Sequence, residues 1–385
     1  VCKTCIYGGE SVKNPCREYK MSLETIGPVF VGDGKTIDKK SYIYTDAKHI
    51  EIIDLEKMYN LLQKKGHEAD YEKYLLSRDR NNLKEWLAKY NLSQKEIDSC
   101  VKYKMDCGDA IDIKHSPSDI QQHIKDPYGN PYIPGSSIKG MIRTIMLAYD
   151  IIINPEKYSD LKDNLEKILF NSNGNVNRKY LLKNEMSSIE VACFNTRERN
   201  ENRKEAVNDI MSGIIVSDSE SIDIDNLVLC KKIDGSVRGN DNPVKVVLRE
   251  CVKPGVRINF TITVDETVGD FDIDKLFDAV SKFANCYNEC FVDSFINAKP
   301  IQKDYVVIGG GSGFVSKTIM YPLLGKKDGV RAVREVLLKT IKPMKGKRPN
   351  YNDSTIGISP HTIKYTRYGG KTLQMGVCRL IEREN

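Results

Sequence analysis

A proline-glycine turn that runs straight into an amphipathic helix constrains this chain more than any other feature. It lies at Tyr132 to Tyr149, YIPGSSIKGMIRTIMLAY. Pro134 and Gly135 are turn formers, and the Ser136 hydroxyl is spaced to accept from N–H groups of the first helical turn. The pattern therefore predicts an N-cap at Ser136 with a helix behind it. Ile138, Met141, Ile142, Ile145, Met146 and Tyr149 recur with helical period and make one apolar stripe for a core. Lys139 and Arg143, four apart, lie on another face, and Gly140 admits a close backbone approach. N–H groups, a positive dipole end and two cations around one helix start make a phosphate cradle. The same string also suits an ordinary capped helix with a solvated outer face, so the pattern alone does not choose between the two.

A second anion-binding candidate follows the strand-like YVVI of Tyr305 to Ile308: the loop GGGSGFVSKT, Gly309 to Thr318. Its glycines reach backbone conformations closed to other residues and let N–H groups converge on a phosphate, and a helix is expected after it. Gly311, Lys317 and Thr318 also fall at the positions of a Walker A loop. Ser316, however, stands where its second glycine belongs, and neither a Walker B strand nor a parallel doubly wound pattern follows.

Charge separates along the chain. Lys326 to Ile381 holds 13 Lys or Arg against Asp328, Glu335 and Asp353, which is +10 and leaves −4 of the total +6 for the remainder. Such asymmetry suits a polyanion-binding face, with a solvated basic tail as the plain alternative. KPMKGKRPN and HTIKYTRYGGK supply much of it, with Tyr351, Tyr365 and Tyr368 interleaved so that a single strand can be held by backbone charge and occasional stacking. No run of eighteen apolar residues occurs and the start lacks a charged-then-apolar leader, which predicts a cytoplasmic protein without membrane contact. The 11 cysteines follow no disulfide framework and are expected as reduced thiols. Cys2, Cys5 and Cys16 cluster without a fourth ligand, so neither metal nor cofactor is expected.

In chain order, residues 1–18 are expected as a leader, beginning without Met. Tyr19 to Gly32 reads as the first strand, interrupted at Gly27 and Pro28, and GDGK at Gly32 to Lys35 as a flexible loop whose carboxylate is Asp33. Residues 55–112 hold a helical insertion, strongly charged, with breaks near Gly66 and Ser93. His115 and His123 lack a third group to orient them and are expected as surface or capping histidines. Residues 154–212, poor in large apolar residues, are expected to be irregular and mobile, with RERNENRK, Arg197 to Lys204, as a solvated tip. GIIVSDS, LVLCKKI, VKVVLRECV and the alternating RINFTITV read as strands, Ile273 to Phe291 as a long packed helix, and YVVI as a final strand. The order is that of an α+β, ferredoxin-like (RRM-like) βαββαβ core with large helical and irregular insertions. That core spans 19–315. A basic C-terminal region, 316–385, packs on it. No RNP1-type aromatic string is present, so base stacking on the sheet is not expected.

IPGSSIKGMIRT resembles the signature of the RAMP superfamily, the RNA-binding subunits of CRISPR effector complexes, and a late glycine-rich loop is similarly characteristic of that family. The SDS at Ser217 to Ser219 and the Arg249-Glu250 pair resemble its terminal type III-A member, and the similarity covers roughly residues 19–45 and 130–375. On this resemblance the basic region 316–385, packed on the core, is a candidate for a degenerate second RAMP unit. The resemblance implies a non-catalytic subunit that caps the 3′-end side of a crRNA. Ser136, Ser137, Lys139, Arg143, Gly309, Gly310, Gly311, Ser312, Gly313 and Lys317 would then grip its sugar-phosphate chain, with the two loops meeting beside one helix end. Its implied partners are the adjacent Csm backbone RAMP subunits, other Csm subunits, nearby target RNA and host trimming ribonucleases. The enzymatic alternative is a RAMP endoribonuclease, either guide-processing or using metal at Asp33. An NTPase ranks below it.

Overall fold

Along RINFTITV the alternation holds residue by residue: Ile258, Phe260, Ile262 and Val264 are buried and the residues between them are not. A sheet with one covered face requires this. The computed structural model describes residues 16–46, 48–77, 82–110, 118–171, 180–239, 241–242, 247–269, 271–341 and 353–383. The chain begins with β1 (Cys16–Thr25), β2 (Gly32–Ile37), β3 (Tyr42–Tyr44) and β4 (His49–Ile53). Helices α1 (Leu55–Lys64), α2 (Glu68–Leu76), α3 (Leu83–Leu87) and α4 (Gln94–Ser99) lead to β5 (Val101–Asp106) and β6 (Ile120–His123). After α5 (Gly135–Ile153), α6 (Ser159–Asn171) and α7 (Lys183–Phe194) come β7 (Ile214–Val216), β8 (Leu227–Lys231), β9 (Ile233–Ser236), β10 (Asp241–Asn242), β11 (Leu248–Val252) and β12 (Arg257–Asp265). The chain ends through α8 (Ile273–Cys290), β13 (Tyr305–Val307), α9 (Met320–Thr340), α10 (Asp353–Ile356), β14 (Thr362–Tyr368), β15 (Lys371–Gln374) and β16 (Val377–Glu382).

The central sheet has the order β13-β16-β1-β12-β7, antiparallel throughout. α5 and α8 pack together and α9 against both. Their buried faces, Ile138, Ile142 and Ile145 on α5 and Leu276, Val280 and Ala284 on α8, join Met21, Leu23 and Phe260 in one core. YVVI, expected as the final strand of the core, is β13 at the sheet edge. The position beside β1 belongs to β16, from the basic C-terminal region. This antiparallel arrangement is not the parallel, doubly wound setting that a Walker A loop requires.

Two of the strands expected between the packed helices, β8 and β11, belong to another sheet, ordered β2-β6-β11-β8-β5-β4-β3. The expected GDGK loop is the start of β2, an edge strand whose pairing with β6 breaks register between Gly32 and Thr36. β9, β10, β14 and β15 form a third, smaller sheet. The helical insertion has its own core of Met58, Leu62, Tyr71, Tyr74, Trp86 and Leu87. The expected irregular stretch is largely built. α6 and α7 bury Leu165, Leu169, Ile189 and Phe194 in the main core. Asn208 Oδ1 accepts from Arg199 N at 2.9 Å and Asn200 N at 3.0 Å, while Asn195 Nδ2 donates to the Arg203 carbonyl at 2.8 Å. Those amides fasten RERNENRK at its base. Cys2, Cys5, His115 and the KPMKGKRPN segment with Tyr351 lie outside the described residues. No helix among the described residues is long and apolar enough to cross a membrane.

Candidate nucleic-acid interface

α5 starts two residues earlier than its sequence suggests. Pro134 is the N-cap residue and contributes no side-chain bond, so the expected cap at Ser136 is not formed. Ser136 already lies in the first turn, and the capping acceptor comes from far away: Gly135 N donates to Asp218 Oδ1 at 2.7 Å. Gly135 is required because a Cβ there would lie 2.3 Å from the Val216 carbonyl oxygen. The Ser219 hydroxyl accepts from Ile133 N at 2.9 Å and completes the clamp by the SDS segment. Lys139 Nζ donates to the Ile214 carbonyl at 2.6 Å, and burial, opposed by Asp209, lowers its pKa. Arg143 pairs with Asp209 at 2.8 Å and Glu190 at 3.0 Å and lies over the Phe194 ring. The helix end therefore already holds a carboxylate and its two cations have partners within the chain. Ser136 is exposed and Ser137 half-buried.

The glycine loop is a different environment. Gly309 has φ +82°, and a Cβ on it would meet the Phe30 carbonyl oxygen at 2.3 Å; Gly310 N donates to that oxygen at 2.6 Å. The loop is thus seated on the chain just after β1. Ser312 is buried and its hydroxyl donates to the Gly309 carbonyl at 2.8 Å, closing the turn. Ser316, in the place of the second Walker glycine, is also buried. Facing the loop is Arg249 of β11, whose Nη1 would lie 3.3 Å from a Cβ on Gly311. Its guanidinium stacks on Phe30 at 5.4 Å, and its Nε and Nη1 have no hydrogen-bond partner among the described residues. Burial lowers the Arg249 pKa; Lys317, whose side chain reaches solvent, is lowered by partial desolvation and by Arg249. Nearby, Lys364 at 2.9 Å and Lys232 at 3.4 Å share the single carboxylate of Asp234. The nook is therefore net positive.

Adjacent residues of a strand face opposite ways, and β11 uses this. While Arg249 faces the loop, Glu250 is wholly buried and takes Lys125 Nζ at 2.5 Å, His123 N at 3.0 Å and the Tyr103 hydroxyl. His123, expected at the surface or as a cap, is also buried. Its Nδ1 meets the Ile124 carbonyl at 2.8 Å, so this nitrogen carries the proton, and Nε2 has no partner among the described residues. Burial pushes its pKa down to about 4, with Lys125 acting in the same direction. Asp33 sits on β2 beside the His123 register position, and its Oδ1 accepts from Lys35 N at 2.8 Å. No group of three metal-ligating side chains occurs among the described residues.

Strand order separates the two candidate loops. The glycine loop follows β13 and the start of α5 lies on β7, at opposite edges of the central sheet. Four inter-strand steps put about 19 Å between those edges. Gly309 to Gly313 and Lys317 are brought together; Ser136, Ser137, Lys139 and Arg143 form a second group. Sequence alone does not mark Arg249 or Lys364 as site residues; the signal it offers for Arg249 is its place in the Arg-Glu pair.

A turn-capped helix and a seated glycine loop on an antiparallel α+β core define a class, and the chain belongs to it: residues 22–358 match the RAMP superfamily. Within that class its relatives include the CRISPR system Cms protein Csm5 of Mycobacterium tuberculosis (strain CDC 1551 / Oshkosh), 25% identical over 94% of this chain and 97% of the relative. The Csm5 of Streptococcus thermophilus is 26% identical over 87% and 88%. In structure the chain is similar to a subunit of a type III-A Csm-crRNA-target RNA ternary complex, with a TM-score of 0.63 and 20% identity over 94% of this chain and 100% of that one. It is also similar to the Csm5 of T. onnurineus, with a TM-score of 0.57 and 19% identity over 93% and 99%.

Proposed function

We propose that this chain is the crRNA-holding subunit at the 3′-end side of a type III-A effector complex, and that it acts as a non-catalytic binding module. Arg249 carries this reading: it is a guanidinium without an ion-pair partner among the described residues, held over an aromatic ring and facing a loop of convergent backbone. A phosphate diester supplies the missing charge. Gly309, Gly310, Gly311, Ser312, Gly313 and Lys317 hold one stretch of the guide with Arg249, and Ser136 and Ser137 touch another across the sheet. Lys139 and Arg143 position the start of α5. Contacts of this kind grip sugar-phosphate without reading bases, which suits one protein serving many guides. The central sheet is a ferredoxin-like βαββαβ unit in which β16 takes the fourth strand's place. The Csm5 relatives and the similarity to a Csm-crRNA-target RNA complex support crRNA, adjacent Csm subunits and nearby target RNA as partners; that host ribonucleases trim the bound guide is part of the proposal alone.

The test is Arg249→Glu combined with Lys317→Glu in the assembled complex. Guide RNA recovered with the complex should fall, and the loss of two phosphate contacts should lower the slope of log affinity against log salt by about 1.4 for a single strand. Unchanged RNA content and slope would remove the site. The nuclease reading separates cleanly: metal-dependent RNA cleavage by the purified chain that disappears in Asp33→Ala would replace the binding-module assignment.

A further inference from the structure

We propose that Cys286 and Cys290, one turn apart at the end of α8, form a two-thiolate site for a soft monovalent cation of the Cu(I) class. Their sulfurs lie 4.0 Å apart, and both residues are half-buried, so each keeps part of its surface in solvent. The other cysteines among the described residues are buried, except Cys16. A metal–sulfur bond is about 2.3 Å long, so one ion can bridge sulfurs up to about 4.6 Å apart, and this pair falls within that reach. A disulfide does not fit. Residues four apart on a helix hold their Cβ atoms about 5–6 Å apart, whereas a disulfide needs about 3.5–4.5 Å, so oxidation would have to unwind the end of α8.

The surroundings favour a monovalent ion. The helical path of α9 breaks at Gly325, whose φ is +68°, and the next residue, Lys326, donates from Nζ to the Glu289 carbonyl at 3.0 Å, beside the thiols. Donation from the Cys286 thiol, together with the Lys326 ammonium, holds the Cys290 pKa down against burial, so its proton leaves more readily. Two thiolates and one monovalent cation carry a single negative charge, which the Lys326 ammonium balances. Zinc takes four ligands, and no third metal-ligating side chain joins the pair among the described residues. Thiolates are soft ligands that select Cu(I), an ion that two sulfurs satisfy. Each thiol gives up its proton to solvent as the ion binds.

The test is an anaerobic titration of the full chain, with Cys2, Cys5 and Cys16 replaced by serine, against cuprous ion held by a chromogenic chelator and, separately, against zinc. The chain should take one cuprous ion from the chelator, release protons as it does so, and leave zinc unbound. Cys286→Ser and Cys290→Ser should each abolish the transfer. Lys326→Glu, at an exposed position, should weaken cuprous binding about tenfold and keeps the test intact if the serine variants fail to fold. No transfer from the chelator, affinity unchanged in these variants, or zinc bound as tightly as the cuprous ion would overturn the proposal.

Discussion

At the scale of single residues, two side chains stand out because each keeps buried nitrogens without a hydrogen-bond partner among the described residues. Arg249 and His123 both neighbour Phe30: the guanidinium lies over its ring at 5.4 Å, and the imidazole meets it edge-on at 6.3 Å. Arg249 must remain charged, whereas His123 must remain neutral, because its burial pushes the pKa down to about 4 from an ordinary 6.5. The folded state therefore binds fewer protons than the unfolded state between these values. Stability is fully present above pH 6.5 and is lost as pH falls toward 4, by on the order of 3 kcal/mol from this group. His123→Phe should flatten the urea-unfolding stability between pH 7 and pH 4 by about that amount relative to the parent chain. Parallel pH profiles for the two proteins would show that His123 is not the titrating group.

At the scale of elements, α5 shows what local sequence carries and what it leaves out. Its apolar stripe was legible because helical period is a property of one segment, and Ile138, Met141, Ile142 and Ile145 are buried as expected. Its cap was not legible: the acceptor at Gly135 N is Asp218, 83 residues away, brought by the contact of the Pro134 turn with β7. Asp218→Ala should cost about 1 kcal/mol, the usual loss of a capping oxygen, and Ser136→Ala less than about 0.5 kcal/mol. Denaturant midpoints measure both, and the reverse ranking would return the cap to the serine. The same distinction runs through the other elements. β12 was read from alternation alone, but β3, β4 and β5 escaped because strands of three to six residues leave little periodicity to detect. The fastening of RERNENRK by Asn195 and Asn208 escaped because side-chain bonds to backbone have no period at all. Both glycine-rich turns were visible by composition, while the edge-to-edge separation between them depends on strand order.

At the scale of the whole molecule, the central sheet is closed by its last strand. β16 sits between β13 and β1, pairing Val377 with Val307 and Leu380 with Leu23. Val377, Cys378 and Leu380 are all buried, and Gly376 N donates to the Pro28 carbonyl at 2.9 Å beneath the seated glycine loop. The C-terminal region is thus part of the core sheet and also of the nook, to which it brings Lys364 and Met375. Removing residues 376–385 would strip β1 of one neighbour and leave β13 with no partner in the sheet. Three buried side chains at about 1.5–3 kcal/mol each, with ladder hydrogen bonds on both sides, amount to much of the 5–15 kcal/mol that holds an ordinary domain together. A chain truncated after Met375 should therefore lack a cooperative thermal transition by calorimetry, and should lose guide RNA along with it. If the truncated chain unfolds as a single transition near that of the full chain, β16 is an appendage and the glycine loop must be seated by the segment after β1 alone.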